Sequence, residues 1–226
     1  MTSVYYHQDE AGKVLAFPAG KVMCIGQNYA DHIAELNSIE RPEPLFFIKP
    51  NTSLSALNKG VVIPRGKGEC HNELELSVLI SKPLCKANNQ QVEDAIWGYG
   101  LGLDLTLREI QARQKRQGRP WEVAKGFDGS CPVTPFIPKQ NITQPQNIQL
   151  TLNVNNSTRQ NGNTKHMIRD VISLIAEMSH EFTLLPGDIV LTGTPAGVGP
   201  LNDGDELELM LSQGEQRWTF QSKVRQ

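Results

Sequence analysis

Short runs of Val, Ile, Leu and Phe recur between Gly, Pro, Asn and Asp along the whole chain, and most have the length of a strand rather than of a helix. This rhythm predicts a strand-rich fold with few helices. Strands are expected at Val22–Ile25, Leu45–Lys49, Gly60–Pro64, Glu73–Ser81, Trp97–Asp104, Ile148–Val154 and Ile189–Thr192. Glu206–Leu211 and Arg217–Ser222 are expected to pair with each other. Asn155-Asn156 and Pro186-Gly187-Asp188 read as turns, and no internal repeat or long linker appears. Helices are expected at Asp31–Asn37, from Gln91–Ala95 onward, at Leu105–Gln117 and at Ile168–Ser179. In the last, Ile168, Val171, Ile172 and Ile175 recur at helical spacing.

The strand at Glu73–Ser81 carries an unusual face. Side chains alternate along a strand, so Glu73 and Glu75 point one way while Leu74, Leu76 and Val78 point the other. Two carboxylates held side by side repel, and a hard divalent cation such as Mg²⁺ or Mn²⁺ relieves that repulsion. The plain alternative is a solvated polar face. Asp104 ends a strand-like run and opens the following helix, so Asp104, Arg108 and Gln111, at i, i+4 and i+7, are expected to share one face of it. Asp104 is then either a helix-capping residue or a third metal carboxylate, with Arg108 and Gln111 facing the same cavity. Lys125, in an apolar setting, is either a snorkelling surface residue or a cation that stabilises an enolate. His32 and Glu35, three apart, are either a surface pair or a dyad in which the carboxylate fixes the imidazole tautomer for base catalysis. The segment Thr192–Gly199 is either a tight turn or a nest of backbone N–H groups suited to an anionic oxygen. His7, His71, His166 and His180 have no partner in the pattern and read as structural or solvated.

Composition narrows these choices. A chain of 226 residues can bury a sizeable core. A net charge of −2 and a pI near 6.2 give no reason to expect nucleic acid as a partner. No apolar run reaches the length of a membrane span, and the first residues lack the basic and apolar pattern of a signal peptide. Cys24, Cys70, Cys85 and Cys131 are scattered without zinc-ligand spacing, so reduced thiols in a cytoplasmic protein are expected and zinc is not favoured.

One set of segments carries a resemblance. In order they are Ile25-Gly26-Gln27-Asn28-Tyr29-Ala30-Asp31-His32 with Glu35, Phe47-Ile48-Lys49-Pro50, and His71-Asn72-Glu73-Leu74-Glu75. Gly98-Tyr99 with Asp104, Arg108 and Gln111 follows, then Lys125-Gly126-Phe127-Asp128 and Leu191–Gly199. Taken together, from about Lys21 to about Leu211, the chain resembles the fumarylacetoacetate hydrolase family, in particular its short acylpyruvase-like branch. The resemblance implies a β-rich α+β fold, a mixed-sheet roll or barrel with a few peripheral helices. It implies a single catalytic domain over residues 1–226, with residues 1–20 a short N-terminal segment, and a homodimer. It implies that Glu73, Glu75 and Asp104 hold Mg²⁺, with Mn²⁺ or Ca²⁺ open to the same carboxylates. His32, Glu35 and Lys125 are implied as catalytic, and Lys49, Arg108, Gln111 and Thr194 as contacts to a keto-acid substrate. Many members carry Gly where this chain has Thr134, a position that reads as structural. The activity expected is hydrolysis of acylpyruvates to pyruvate and a carboxylic acid. Oxaloacetate decarboxylation or tautomerisation, and isomerisation of 2-hydroxy-diene-dioates, are the alternatives on the same site. A keto-acid-binding protein without turnover is less expected, because binding has no use for a water-activating pair. The segment Glu35–Pro44 is expected to act as a lid.

Overall fold

The computed structural model describes residues 4–36 and 42–226. Asn37, the expected end of the first helix, and residues 37–41 of the expected lid lie outside the described residues. Strand exceeds helix, at 39% against 23%, in keeping with the β-rich α+β expectation. The largest sheet has eight strands and curls into a half-barrel. Its centre is the antiparallel pair Leu74–Ile80 and Ile96–Leu103, the latter also flanked by Cys131–Val133 and Ile137–Pro138. Ile189–Leu191, Val22–Gly26 and Leu45–Lys49 extend it on one side, and Leu54–Ala56 on the other. A five-stranded sheet is built from Gln149–Val154, Ser157–Asn163, Glu206–Gln213, Gln216–Arg225 and Val61–Val62. Gly199–Pro200, Cys70–Asn72 and Thr106–Leu107 form a small third sheet. No helix among the described residues is long and apolar enough to cross a membrane.

The pattern of Leu74–Ile80 explains its central place. Leu74, Leu76, Val78 and Ile80 all join the main core, together with Leu150 and Leu152 of the second sheet and Leu174 and Ile175 of the Val171–Glu181 helix. Each such side chain contributes about 1.5–3 kcal/mol relative to exposure. The alternate face carries Glu75, Ser77 and Leu79, and Leu79 packs with Val22, Cys24, Val133, Ile189 and Leu191 in a second cluster. Both faces are therefore buried, and the carboxylates lie at one end of the face that carries Ser77 and Leu79.

Tertiary pairing shortens several expected elements. The strand expected over Gly60–Pro64 contracts to Val61–Val62, the two residues that pair with Val224 and Arg225. The helix expected from Leu105 begins only at Arg108, because Thr106 and Leu107 pair with His71 and Cys70. Asp104 therefore lies ahead of the helix and does not cap it. The expected shared face reduces to Arg108 and Gln111. The helix expected from Ile168 begins at Val171, where the carboxylate of Asp170 accepts the Ser173 N–H at 2.9 Å. Thr134 is structural as expected: it is buried, and its hydroxyl accepts the Leu101 N–H at 2.9 Å and donates to Pro135 O.

The N-terminal segment is tied down by His7. Its Nε2–H donates to Gly187 O at 2.9 Å, leaving Nδ1 to accept from the Tyr5 hydroxyl at 3.2 Å. The ring is fully buried against Phe136, and burial lowers its pKa. The unfolded chain then takes up a proton more readily than the folded one. The stability His7 supplies should be intact above the ordinary imidazole range, near about 6.5, and lost as pH falls toward the lowered folded value. Thermal unfolding at pH 7 and pH 5 should show a smaller acid loss for His7→Phe than for wild type; parallel losses would contradict this role.

Candidate metal centre and active-site cleft

The antiparallel register pairs Leu74 with Leu103 and Glu75 with Gly102, which sets Glu73 opposite Asp104. The Asp104 N–H donates to Glu73 O at 2.8 Å. Strand alternation turns Glu75 to the same side as Glu73. The three carboxylates converge, with one oxygen from each lying within 4.8 Å of the others. They are only 5%, 1% and 1% exposed, so the solvated-face alternative for Glu73 and Glu75 does not apply.

Cations surround two of the three. Lys125 Nζ bridges Glu73 Oε2 at 2.8 Å and Asp104 Oδ2 at 2.5 Å. Lys125 is buried and does not snorkel. Arg108 Nη2 donates to the other oxygen of Glu73, and Arg108 Nη1 donates to Gln111 Oε1 at 2.8 Å. Burial by itself would raise the pKa of Glu73, but Lys125 and Arg108 more than offset it and hold that carboxyl well below the usual range. The same two acids reverse the effect of burial on Lys125 and raise its pKa, so it stays protonated.

Glu75 differs. No cation lies within 4 Å of it among the described residues, and its one partner is the Gly193 N–H at 2.5 Å. Burial, then the charges of Asp104 and Glu73, push its pKa well up. Asp104 Oδ1 is also unspent. It lies 2.7 Å from Lys49 Nζ but outside hydrogen-bonding geometry, because that ammonium is aimed at carbonyls. An uncompensated buried carboxylate beside an orphaned carboxylate oxygen fits a hard divalent cation. The absence of His and Cys from this set does not suit zinc.

His32 lies on the Ala30–Glu35 helix, and its Nδ1 is 3.0 Å from Glu35 Oε2. An ionised carboxylate only accepts, so Nδ1 carries a proton, and in the neutral ring Nε2 keeps its lone pair. Glu35 Oε1 in turn accepts the Gly197 N–H at 2.9 Å. His32, the three acids, Lys125, Arg108, Gln111 and Thr194 all line one cleft.

The family model for the fumarylacetoacetate hydrolase C-terminal region matches residues 21–221. The chain belongs to the fumarylacetoacetate hydrolase family. It is 51% identical over 205 residues to the oxaloacetate tautomerase YcgM of Escherichia coli (strain K12), covering 90% of this chain and 94% of that protein. Its fold is similar to that of a fumarylacetoacetate hydrolase family protein from Yersinia pestis CO92. There the TM-score is 0.94 at 50% identity, over 97% of this chain and 100% of the other. It is also similar to fumarylpyruvate hydrolase from Pseudomonas aeruginosa, solved in complex with Mn²⁺ and pyruvate. That match has a TM-score of 0.88 at 33% identity, over 100% of this chain and 97% of the other.

Within this family member, two expectations change. Lys49 is not placed to touch substrate. It is 0% exposed, and its Nζ donates to Lys125 O at 2.5 Å, Ser130 O at 2.9 Å and Leu105 O at 3.2 Å. It stands behind Asp104 and holds the backbone of Lys125. The Thr192–Gly199 loop is a nest, but the anionic oxygens it holds belong to the protein. Gly193 N–H serves Glu75 and Gly197 N–H serves Glu35. Gly193 and Gly197 adopt φ of +94° and +103°, and a Cβ at Gly197 would meet Arg159 O at 2.0 Å. Thr194 lines the cleft with its hydroxyl donating to Leu74 O at 2.8 Å.

Two supporting residues lie outside the set of site residues expected from the sequence. Gln160 is buried, accepts from Leu74 N–H and Asn72 at 2.8 Å each, and donates to Thr194 Oγ1. His71 accepts from Arg108 Nε at 3.4 Å while its Nε2 meets Glu69 at 3.0 Å. His71 could have been suspected from its place beside Glu73. Nothing in the polar strand Ser157–Asn163 marks Gln160.

Proposed function

We propose that this chain is a divalent-metal-dependent enzyme that interconverts the keto and enol forms of oxaloacetate. The observation that carries the reading is the pairing, in one cleft, of a charge-stabilising half with a proton-moving half: Glu73, Glu75, Asp104 and Lys125 face the His32–Glu35 dyad. The close relationship to an enzyme named for this reaction supports the substrate. An ion held by Glu73, Glu75 and Asp104, with Mg²⁺ the proposed ion, would polarise the 2-oxo group as a Lewis acid. Arg108 and Gln111 bind and orient the adjoining carboxylate and oxo oxygen. His32 Nε2 takes the C3 proton, and the C–H electron pair becomes the C2–C3 double bond. Charge then grows on the 2-oxo oxygen, where the Lys125 ammonium stabilises it until the protonated His32 gives the same proton up to that oxygen and returns to the neutral ring.

A second reading is favoured by the free Nε2 of His32, which serves equally to deprotonate a water. Hydrolysis of an acylpyruvate uses the same enolate as leaving group, and the similarity to fumarylpyruvate hydrolase supports it. Oxaloacetate decarboxylation needs only the charge-stabilising half. His32→Ala separates the halves. It should lower tautomerisation by about 10²–10⁴-fold, the usual worth of a positioned base, with divalent-ion affinity in calorimetry unchanged. A variant with the wild-type rate would remove His32 from the mechanism.

A further inference from the structure

Beyond Gln111 the Arg108–Gln117 helix presents one more cleft residue. Arg108, Gln111 and Lys115 stand at i, i+3 and i+7, and all three line the cleft that holds the carboxylates. Two helical turns, about 10 Å of rise, separate Arg108 from Lys115. Helix side chains lean toward the N-terminus, so Lys115 reaches back along the cleft toward Arg108. Its Nζ lies 4.7 Å from the centre of the Trp121 ring, and Trp121 packs at 6.0 Å against Phe47, another residue of the cleft lining. This cation–π contact draws the ammonium toward the face of Trp121, itself part of the cleft lining.

Lys115 is an exposed cation of the cleft, and among the described residues only the more distant charge of Glu73 acts in its favour. Arg108 is paired with Glu73 and Gln111, and Lys125 with Glu73 and Asp104. Among the described residues Lys115 makes no ion pair and no hydrogen bond through Nζ. Partial desolvation, with the nearby charges of Arg108 and Lys125, lowers its pKa against the opposing pull of Glu73. A cation set among other cations, with its donors free, is placed for an anion that arrives with the substrate. The metal end of the cleft accounts for one carboxylate and the 2-oxo oxygen. A second carboxylate, at the far end of a four-carbon chain, requires its own donor.

We infer that Lys115 is the specificity-determining residue that binds the distal carboxylate, so that the cleft selects 2-oxo dicarboxylic acids over 2-oxo acids ending in an acyl group. The inference rests on the enolate-forming reading of the site and names its substrate class. Lys115→Met keeps the apolar stem against Trp121 and removes the charge, and Lys115→Arg restores it. Binding to the Mg²⁺-loaded protein is measured by calorimetry with two probes that do not turn over. Oxalate occupies the metal end alone, whereas 3,3-difluoro-oxaloacetate has the second carboxylate and no C3 proton. Lys115→Met should weaken difluoro-oxaloacetate at least tenfold and oxalate less than twofold, and Lys115→Arg should recover most of the loss. In kinetics, KM for oxaloacetate should rise about tenfold with kcat changed less than threefold, while KM for acetylpyruvate moves less than twofold. Equal weakening of both probes would make Lys115 a general attractor of anions and overturn the inference, as would unchanged binding of difluoro-oxaloacetate or its failure to bind wild type. If wild type tautomerises nothing yet the two probes still separate, the reaction assignment falls and the distal-carboxylate site stands.

Discussion

Glu75→Gln is expected to abolish divalent-ion binding and to lower turnover by more than about 1,000-fold, while leaving the metal-free protein at least as stable as wild type. The two halves of this result have one cause. Without an ion, Glu75 is a buried carboxylate whose only partner is the Gly193 N–H, with Asp104 and Glu73 adding like charge. Glutamine keeps the shape and an oxygen for Gly193 N–H, and it removes a charge that the metal-free fold has no cation to balance. The ion loses one of three carboxylates, and the remaining two, Glu73 and Asp104, already pair with Lys125 and Arg108. Calorimetry with Mg²⁺ and Mn²⁺, beside chemical denaturation in EDTA, reads both halves. Ion affinity within threefold of wild type would remove Glu75 from the metal centre.

Lys49→Met is expected to have the largest effect on the fold, a loss of about 3–5 kcal/mol, the usual consequence of taking one partner from a buried charge pair. The Lys49 ammonium is wholly buried, and it satisfies the carbonyls of Leu105, Lys125 and Ser130 while lying beside Asp104. Methionine fills the volume but removes one donor from each of the carbonyls of Leu105, Lys125 and Ser130 and the cation beside Asp104, while Ser130 Oγ and the Leu105 N–H go on serving Lys125 O and Ser130 O. A substrate-binding lysine would behave otherwise, raising KM at little cost to the fold. Denaturation midpoints and KM measured on the same variant separate the two roles. A stability loss under about 1 kcal/mol with a raised KM would restore Lys49 to the substrate.

Local patterns announced what local physics decides. Alternation put Glu73 and Glu75 on one side of a strand, and a three-residue spacing put His32 beside Glu35, because both are properties of a single element. The burial of Leu74, Leu76, Val78 and Ile80 followed from their apolar run. Features fixed by distant pairing were not legible in this way. Thr106 and Leu107 read as helix until Cys70 and His71 take them as a strand, which moves Asp104 off the helix and opposite Glu73. Ser157–Asn163 has almost no apolar content and becomes a strand through its neighbour Gln149–Val154, carrying Gln160 beneath the cleft. A buried lysine such as Lys49 has the same sequence context as an exposed one. Only the carbonyls gathered around it from Leu105, Lys125 and Ser130 distinguish the two.

The most direct test follows the conversion of enol-oxaloacetate to the keto form by the purified protein with Mg²⁺, then with EDTA, then with Mg²⁺ restored, beside acetylpyruvate cleavage under the same conditions. The tautomerase reading predicts conversion well above the buffer rate, lost in EDTA, regained with Mg²⁺, and faster than cleavage. Conversion no faster than in buffer with Mg²⁺, or unaffected by EDTA, would contradict it.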